Sequence, residues 1–468
     1  MSFLFMDFEA SGLEPAWDVP LQAAYVETDS DLRPVRETVL RARLPAYVVP
    51  SPDALLVTGL DPDRIEAAPL SQLELMRAVA GILDAASPAT ILGYSNLKYD
   101  EELQRHSAFR TLLPPYATSM PGLARADVLT MLRAVAMLAP DTITIPVTPQ
   151  GKPTMQLGPV CRANGIAFDE ADAHDALNDV HATIALFRLL RERAPTIIAA
   201  MMANAHKSGP AGLLARPEPL GLGLFNRMIP IGGIMPTPGN ASSWAVADLT
   251  VDPTYLDAPP EELGEMLFAN GERPIRLVKT NAQPILLPWE MAAPAARGEV
   301  PPDRELQTRL ARIRGHACFR DNLAIALAGR FAGKEPSPWP DDSLYSGGFI
   351  GRDDAITSRR WHEVEWDQRV RLGRELLGDV RLKAFANRWA WLEAPGELSA
   401  AEREKGAAWF DHRLDTRDDV PWLTRPAARE RIAALKAGAG PGDLARVRQL
   451  DAIERWIAGR GKPLSCAA

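Results

Sequence analysis

The run Ser2–Phe8 is apolar except for Asp7, and Glu9 follows at once. This short segment constrains the fold more than any other. It is too brief, and too free of a preceding basic stretch, for an export signal, so it reads as a first β-strand. Residues two apart on a strand leave the same face, which sets Asp7 and Glu9 side by side. Their apolar flanks place the strand at the centre of a sheet. Two carboxylates about 4 Å apart repel by about 4 kcal/mol at an effective dielectric of 20, and burial worsens this unless a cation intervenes. Oxygen-only ligands suit Mg²⁺ or Mn²⁺ and not zinc. Alone, the pair is a weak signal. An Asp-x-Glu pair arises by chance roughly once or twice in a chain of this length and acidity, and a solvent-facing pair is its ordinary reading.

Two further acidic elements lie downstream. The run GYSNLKYDEEL starts at Gly93 and puts Asp100 in the first turn of a helix just past a strand end. An acidic residue there also complements a helix dipole, so both readings stand on local grounds. The run AHDALND from Ala173 sets His174 at the entry to a helix and Asp179 five residues on, within it. His181 is nearby but carries only a structural reading.

The rest of the chain indicates an α/β region followed by other architectures. Strands are expected at Leu21–Thr28, Glu37–Leu44 and Ala89–Tyr94, and helices at Ser71–Ala86, Ala126–Leu138 and Asp175–Arg193. In the last, Leu177, Val180, Ile184 and Phe187 form one apolar stripe. A boundary is expected near 196, and Ser208–Gly223, dense in Gly, Pro and Leu, reads as a linker. From Arg227 to Leu287, short β-like runs such as Ser243–Thr250 and Pro274–Thr280 alternate with proline turns, and a long helical pattern follows at Asp303–Gly329. Helical periodicity then fills Trp361–Leu377, Arg381–Leu392, Ala400–Arg413, Ala427–Ala437 and Pro441–Ile457. At 468 residues the chain exceeds one compact core.

Charge and cysteine content narrow the function. A net charge of -8 disfavours a nucleic-acid coating role, so any phosphate contact must be local. The stripe Arg309, Arg312, His316 and Arg320 is one such patch, with a solvated helix face as its ordinary reading. Trp361, Trp366, Trp389 and Trp391, near Arg369, Arg371 and Arg374, read as core. Three scattered cysteines, Cys161, Cys318 and Cys466, fit neither a zinc knuckle nor a disulfide framework, and a reducing cytoplasm is the expected compartment. No run approaches a membrane span.

Asp-x-Glu, a later Asp and His-x4-Asp, in that order along one chain, resemble the DEDD exonuclease superfamily. Asp175, where the other subclass carries Tyr, points to the histidine branch, DEDDh. Within it the chain resembles bacterial exonuclease I, on Asp7-Phe8-Glu9, Thr58-Gly59-Leu60, the Gly93 run, RANGI from Arg162, and AHDALNDVHATIAL from Ala173. The likeness continues in CFRDNLAIAL from Cys318, DDSLYSGGF from Asp341 and FANRWAWLE from Phe385. Ala10 departs from it, standing where many relatives carry Thr.

The resemblance implies three parts: an α/β ribonuclease H-like nuclease domain with a mixed central sheet (1–196), an SH3-like α+β domain with a long helix (197–350) and an all-α C-terminal domain (351–468). Together these would form a C-shaped clamp on single-stranded DNA. It implies a bacterial, cytoplasmic, nucleoid-associated monomer serving DNA repair and recombination by 3′→5′ hydrolysis to 5′-mononucleotides. Asp7, Glu9, Asp100 and Asp179 would hold two Mg²⁺ ions, with Mn²⁺ as a substitute, and His174 would be the general base. The acidic tail of single-stranded DNA-binding protein is an implied partner. An RNA-directed DEDDh exoribonuclease and a non-catalytic single-strand clamp are the alternatives, the second disfavoured because all five site residues are present.

Overall fold

The computed structural model describes residues 2–168, 175–225, 227–268, 273–329, 335–440 and 442–460. Five strands form the first sheet: β1 Ser2–Ala10, β2 Pro20–Thr28, β3 Pro34–Arg41, β4 Ala89–Gly93 and β5 Leu123–Asp127, in the order β3-β2-β1-β4-β5. β1, β2 and β3 pair antiparallel, while β1, β4 and β5 pair parallel. The sheet is therefore mixed, with β1 at its centre.

Because β1 is covered on both faces, apolar residues occupy both of them from Phe3 to Phe8 with Asp7 as the one interruption, as expected of a central strand. Leu4, Met6 and Phe8 share a core with Leu75, Met76, Val79 and Leu83 of helix Gln72–Ala86. That helix begins with a capping box between Ser71 and Glu74. On the opposite face, Phe3 and Phe5 pack against Phe187 of helix Ala176–Arg193, with ring centroids 5.8 and 5.9 Å away. Asp7 and Glu9 continue the odd-numbered face, toward that same helix.

A second sheet is built from β6 Leu220–Leu224, β7 Arg227–Thr237, β8 Asn240–Asp248, β9 Ile275–Lys279 and β10 Leu286–Pro288, all antiparallel in the order β10-β6-β7-β8-β9. From Arg352 to Gly459 the regular elements are helices, five of them ten residues or longer after Arg352–Glu363. Phe385 and Trp389 pack on Phe109, and Phe410, Ile432 and Leu450 pack on Val48, Val49 and Leu55. The C-terminal helices thus share cores with the first sheet's layer. Trp361, Trp389 and Trp391 are buried in them.

Three sequence expectations are corrected. Ser208–Gly223 is not a linker: it forms helix Ser208–Ala215 and most of β6. Gly221 and Gly223 serve close packing, since an added Cβ would fall 2.1 Å from the Ala292 side chain and 2.7 Å from that of Ile285. The helix expected over Asp303–Gly329 is two helices, Asp303–Gly315 and Ala317–Gly329, because His316 turns extended (φ -86°, ψ 93°). Trp361–Leu377 likewise spans the end of one helix and all of Trp366–Glu375, with Val364 extended between them.

Candidate functional site

Antiparallel packing of helix Ala176–Arg193 on β1 assembles the site. Phe187 sits over Phe3 and Phe5. Eight residues back along the helix is about 12 Å, and four residues forward along the strand is about 13 Å. The same packing therefore brings Asp179 to Asp7 and Glu9. Ligand oxygens of the three lie within 4.8 Å of one another, with Glu9 buried and the other two half-buried.

Asp100 arrives from the other side. β4 runs parallel to β1, and the chain leaving it enters helix Asp100–Arg110. The Asp100 carboxylate is buried and accepts a hydrogen bond from the backbone N–H of Phe8, 3.2 Å away. Phe8 lies between Asp7 and Glu9, so this bond seats Asp100 beside them, next to the closest trio and not within it. His174 falls outside the described residues.

The electrostatics express crowding without compensation. Burial, then the Asp100, Glu9, Asp179 and Asp175 carboxylates, push Asp7 well above the usual range. Glu9 rises to about 9, through burial first and then Asp179, Asp100 and Asp175. Asp100 rises to about 7, mainly by burial, with the Phe8 N–H pulling the other way. Such a group is held together by the fold against its own repulsion. A hard divalent cation fits its donor set, since it needs clustered carboxylate oxygens and relieves the repulsion.

Asp175, which the motif reading used only to mark the histidine branch, is a neighbour of the cluster. It caps helix Ala176–Arg193 at the Leu177 N–H, 3.1 Å away. One of its oxygens also accepts from Gln22 at 3.1 Å and Arg41 at 3.2 Å. Glu9 is registered with Gln22, and Gln22 with Arg41, so a single row across β1, β2 and β3 anchors the start of the helix that carries Asp179. No local pattern reveals this row; only strand register does.

Other singled-out residues lie apart. His181 pairs with Glu37 at 3.4 Å. The basic stripe is divided by the helix break. Arg309 bonds the Leu249 and Thr250 carbonyls, Arg312 faces Asp252 at 4.0 Å, and His316 faces Asp257 at 3.4 Å. These three hold a loop, and Arg320 is exposed. Arg369 stacks on Trp361 and Trp366, while Arg371 and Arg374 pair with Glu375 and Glu402. Among the described residues no helix is long and apolar enough to cross a membrane.

No family model matches the chain. Exodeoxyribonuclease I of Escherichia coli strain K12 is 27% identical over 467 residues, covering 93% of this chain and 96% of that protein. The solved structure of a moderately thermophilic exonuclease I from Methylocaldum szegediense superposes with a TM-score of 0.85 at 27% identity, over 98% of this chain and 99% of that one. A zinc-bound complex of E. coli exonuclease I with single-stranded DNA gives 0.83 at 25% identity, over 98% and 99% of the two chains.

Proposed function

We infer, from the premise that the chain belongs to the bacterial exonuclease I family, that it is an exodeoxyribonuclease. It removes mononucleotides from the 3′ end of single-stranded DNA, in DNA repair and recombination, with divalent cations held at the Asp7 cluster. The observation that carries this reading is the convergence of Asp7, Glu9 and Asp179 within 4.8 Å, with Asp100 bonded alongside. The zinc-bound relative on single-stranded DNA supports both the cation and the substrate.

Asp7, Glu9, Asp100 and Asp179 would hold the ions, two Mg²⁺ by preference. Bound there, the cations supply Lewis acidity for the scissile phosphate and raise the acidity of a coordinated water. The chain supplies the rest. Its carboxylates fix the cluster on a central strand and a packed helix, elements too rigid to spread apart. His174 takes the proton from the attacking water at its imidazole, whose reference pKa near 6.5 suits transfer at neutral pH. The Asp175 row fixes where the chain enters the helix directly after His174. The second sheet, read as an SH3-like domain, and the C-terminal helical domain complete a clamp that admits one strand. The acidic tail of single-stranded DNA-binding protein is the proposed partner.

End-labelled single- and double-stranded DNA and RNA, incubated with Mg²⁺ or with EDTA, test the reading. Stepwise shortening of single-stranded DNA from the 3′ end, abolished by EDTA, is expected. Equal attack on RNA would favour an RNA-directed enzyme, and no shortening of any substrate would refute the assignment.

A further inference from the structure

β5 is an edge strand of the first sheet, and the segment that joins β9 to β10 in the second sheet packs along it. A strand edge that is covered needs partners for its backbone N–H groups. Arg125 finds one in the Ala205 carbonyl, 3.3 Å away, and Asp127 finds one in a side chain, the Gln283 amide oxygen at 2.7 Å. The Gln283 NH₂ group donates in turn to the Met201 carbonyl at 3.1 Å. This buried amide thereby bridges the end of β5 and the helix Pro195–Ala203.

Gln283 holds its place against its own backbone. Its φ is +45°, in the left-handed region where glycine sits without strain and a long side chain does not. Where shape alone decides such a turn, glycine serves best. The buried, doubly bonded amide is what glutamine adds here.

Arg125 and Asp127 both pass the contact on toward Asp100. Asp127 is registered with Gly93 on β4, and its carboxylate accepts the N–H of Ser95 at 2.9 Å as well as that of Leu129. Ser95 lies in the turn that leads from β4 to Asp100 and has a positive φ of its own, 65°. Arg125 donates to the Asn281 carbonyl at 2.8 Å and to the carboxylate of Glu101, the residue after Asp100. Asn281 and Gln283 therefore grip Arg125 and Asp127, and these hold Ser95 and Glu101, on either side of Asp100. Asp100 itself belongs to a cluster of carboxylates that repel one another. A ligand in such a cluster stays in place only if its backbone is fixed, and groups that never touch a metal commonly set the geometry of those that do.

We propose that Gln283 is a positioning residue for the cation cluster: through Asp127 and Ser95 it fixes Asp100, so that the cluster is complete only with the second sheet docked. The inference rests on the reading of Asp7, Glu9, Asp100 and Asp179 as cation ligands. Asn281 acts through its backbone carbonyl, which any residue supplies, so the dependence on side-chain identity falls on Gln283.

Gln283→Gly and Gln283→Met test this in the full chain. Glycine removes the amide and the strained φ together, while methionine keeps a long side chain without the amide's donors and acceptor. The readouts are Mn²⁺ binding by titration calorimetry, melting temperature, and affinity for a single-stranded oligonucleotide in EDTA by fluorescence anisotropy. Both variants should bind Mn²⁺ at least about threefold more weakly, a smaller loss than the roughly 10–100-fold typical of groups in direct contact with a metal ligand. Oligonucleotide affinity should be kept. Asn322→Ala, which deletes a 3.0 Å bond to the Ala258 carbonyl away from β5, should lower the melting temperature and leave Mn²⁺ binding unchanged. If Gln283→Met does not fold, Gln283→Gly decides. Mn²⁺ bound by the variants as tightly as by wild type, or weakened as much by Asn322→Ala, overturns the proposal. Wild type that takes up no Mn²⁺ overturns the cation reading beneath it, and the proposal with it.

Discussion

Replacing Glu9 by Gln should stabilise the cation-free protein while destroying its response to cations. In the fold the Glu9 carboxyl rises from an ordinary 4.5 to about 9. A carboxyl raised in this way keeps its proton in the folded chain at pH values where the unfolded chain has already lost it. Its stabilising contribution is whole below about pH 4.5 and is lost as pH climbs through about 9. At pH 7.5 the mismatch spans about three pH units, or about 4 kcal/mol at 1.36 kcal/mol per unit. The cluster shares its repulsion among several acids, so about 2 kcal/mol is the working figure for one neutralised member. Gln keeps the shape and removes the charge. Melting curves in EDTA and in Mg²⁺ between pH 5 and 9 provide the assay. Wild type in EDTA should lose stability with rising pH, E9Q should lose less and melt a few degrees higher at pH 8, and Mg²⁺ should raise wild type far more than E9Q. Parallel pH slopes, or an E9Q protein less stable than wild type in EDTA at pH 8, would refute the reasoning.

Four further outcomes are expected. His174→Ala should slow turnover by about 10²–10⁴-fold with single-strand affinity kept, as measured by single-turnover kinetics and fluorescence anisotropy. Asp179→Ala should move the Mg²⁺ activation curve to higher concentration, and an unchanged curve would remove Asp179 from the cation site. Asp175→Asn retains a good helix cap but loses charge toward Arg41, so kcat should fall about tenfold with KM little changed; Arg41→Met should match it, and the double variant should be no worse than either single one. Asp341→Asn strands Arg388 in the interior and should cost about 3–5 kcal/mol in urea unfolding. Since Asp341 is held down at about 2 despite its burial, chiefly by Arg388, its stabilisation is present above about pH 4 and fades as pH falls toward 2.

Much of the site was legible in the residues because its members lie on elements with strong local signals. Asp7 and Glu9 sit on an apolar run that forms β1, and Asp179 on an apolar-striped helix that packs against it. Asp100 opens a helix just past β4, where the GYSNLKYD run placed it. Contacts that depend on register were hidden. Asp175 meets Gln22 and Arg41 only because β1, β2 and β3 align in one row, which no window along the chain contains. The glycines at 221 and 223 misled for a related reason. They signal a turn in sequence, yet here they permit close packing of β6. The break at His316 carries no proline, so periodicity ran straight through it.

The contrast between two sets of buried acids bears on the proposal that the cluster is a cation site and not a structural ion network. This chain is able to bury arginine against a carboxylate, as Arg388 does with Asp341, and the paired acid then drops to about 2. Among the described residues no arginine or lysine bonds Asp7 or Glu9, and Glu9 climbs to about 9. A fold that needed these acids only for structure would gain by setting a guanidinium among them, as it did elsewhere. Arg41 is held by Asp175, which itself adds to the repulsion on Glu9. On the proposed reading, the space between the carboxylates is kept for a cation that arrives from solution, and the fold bears the repulsion until it does.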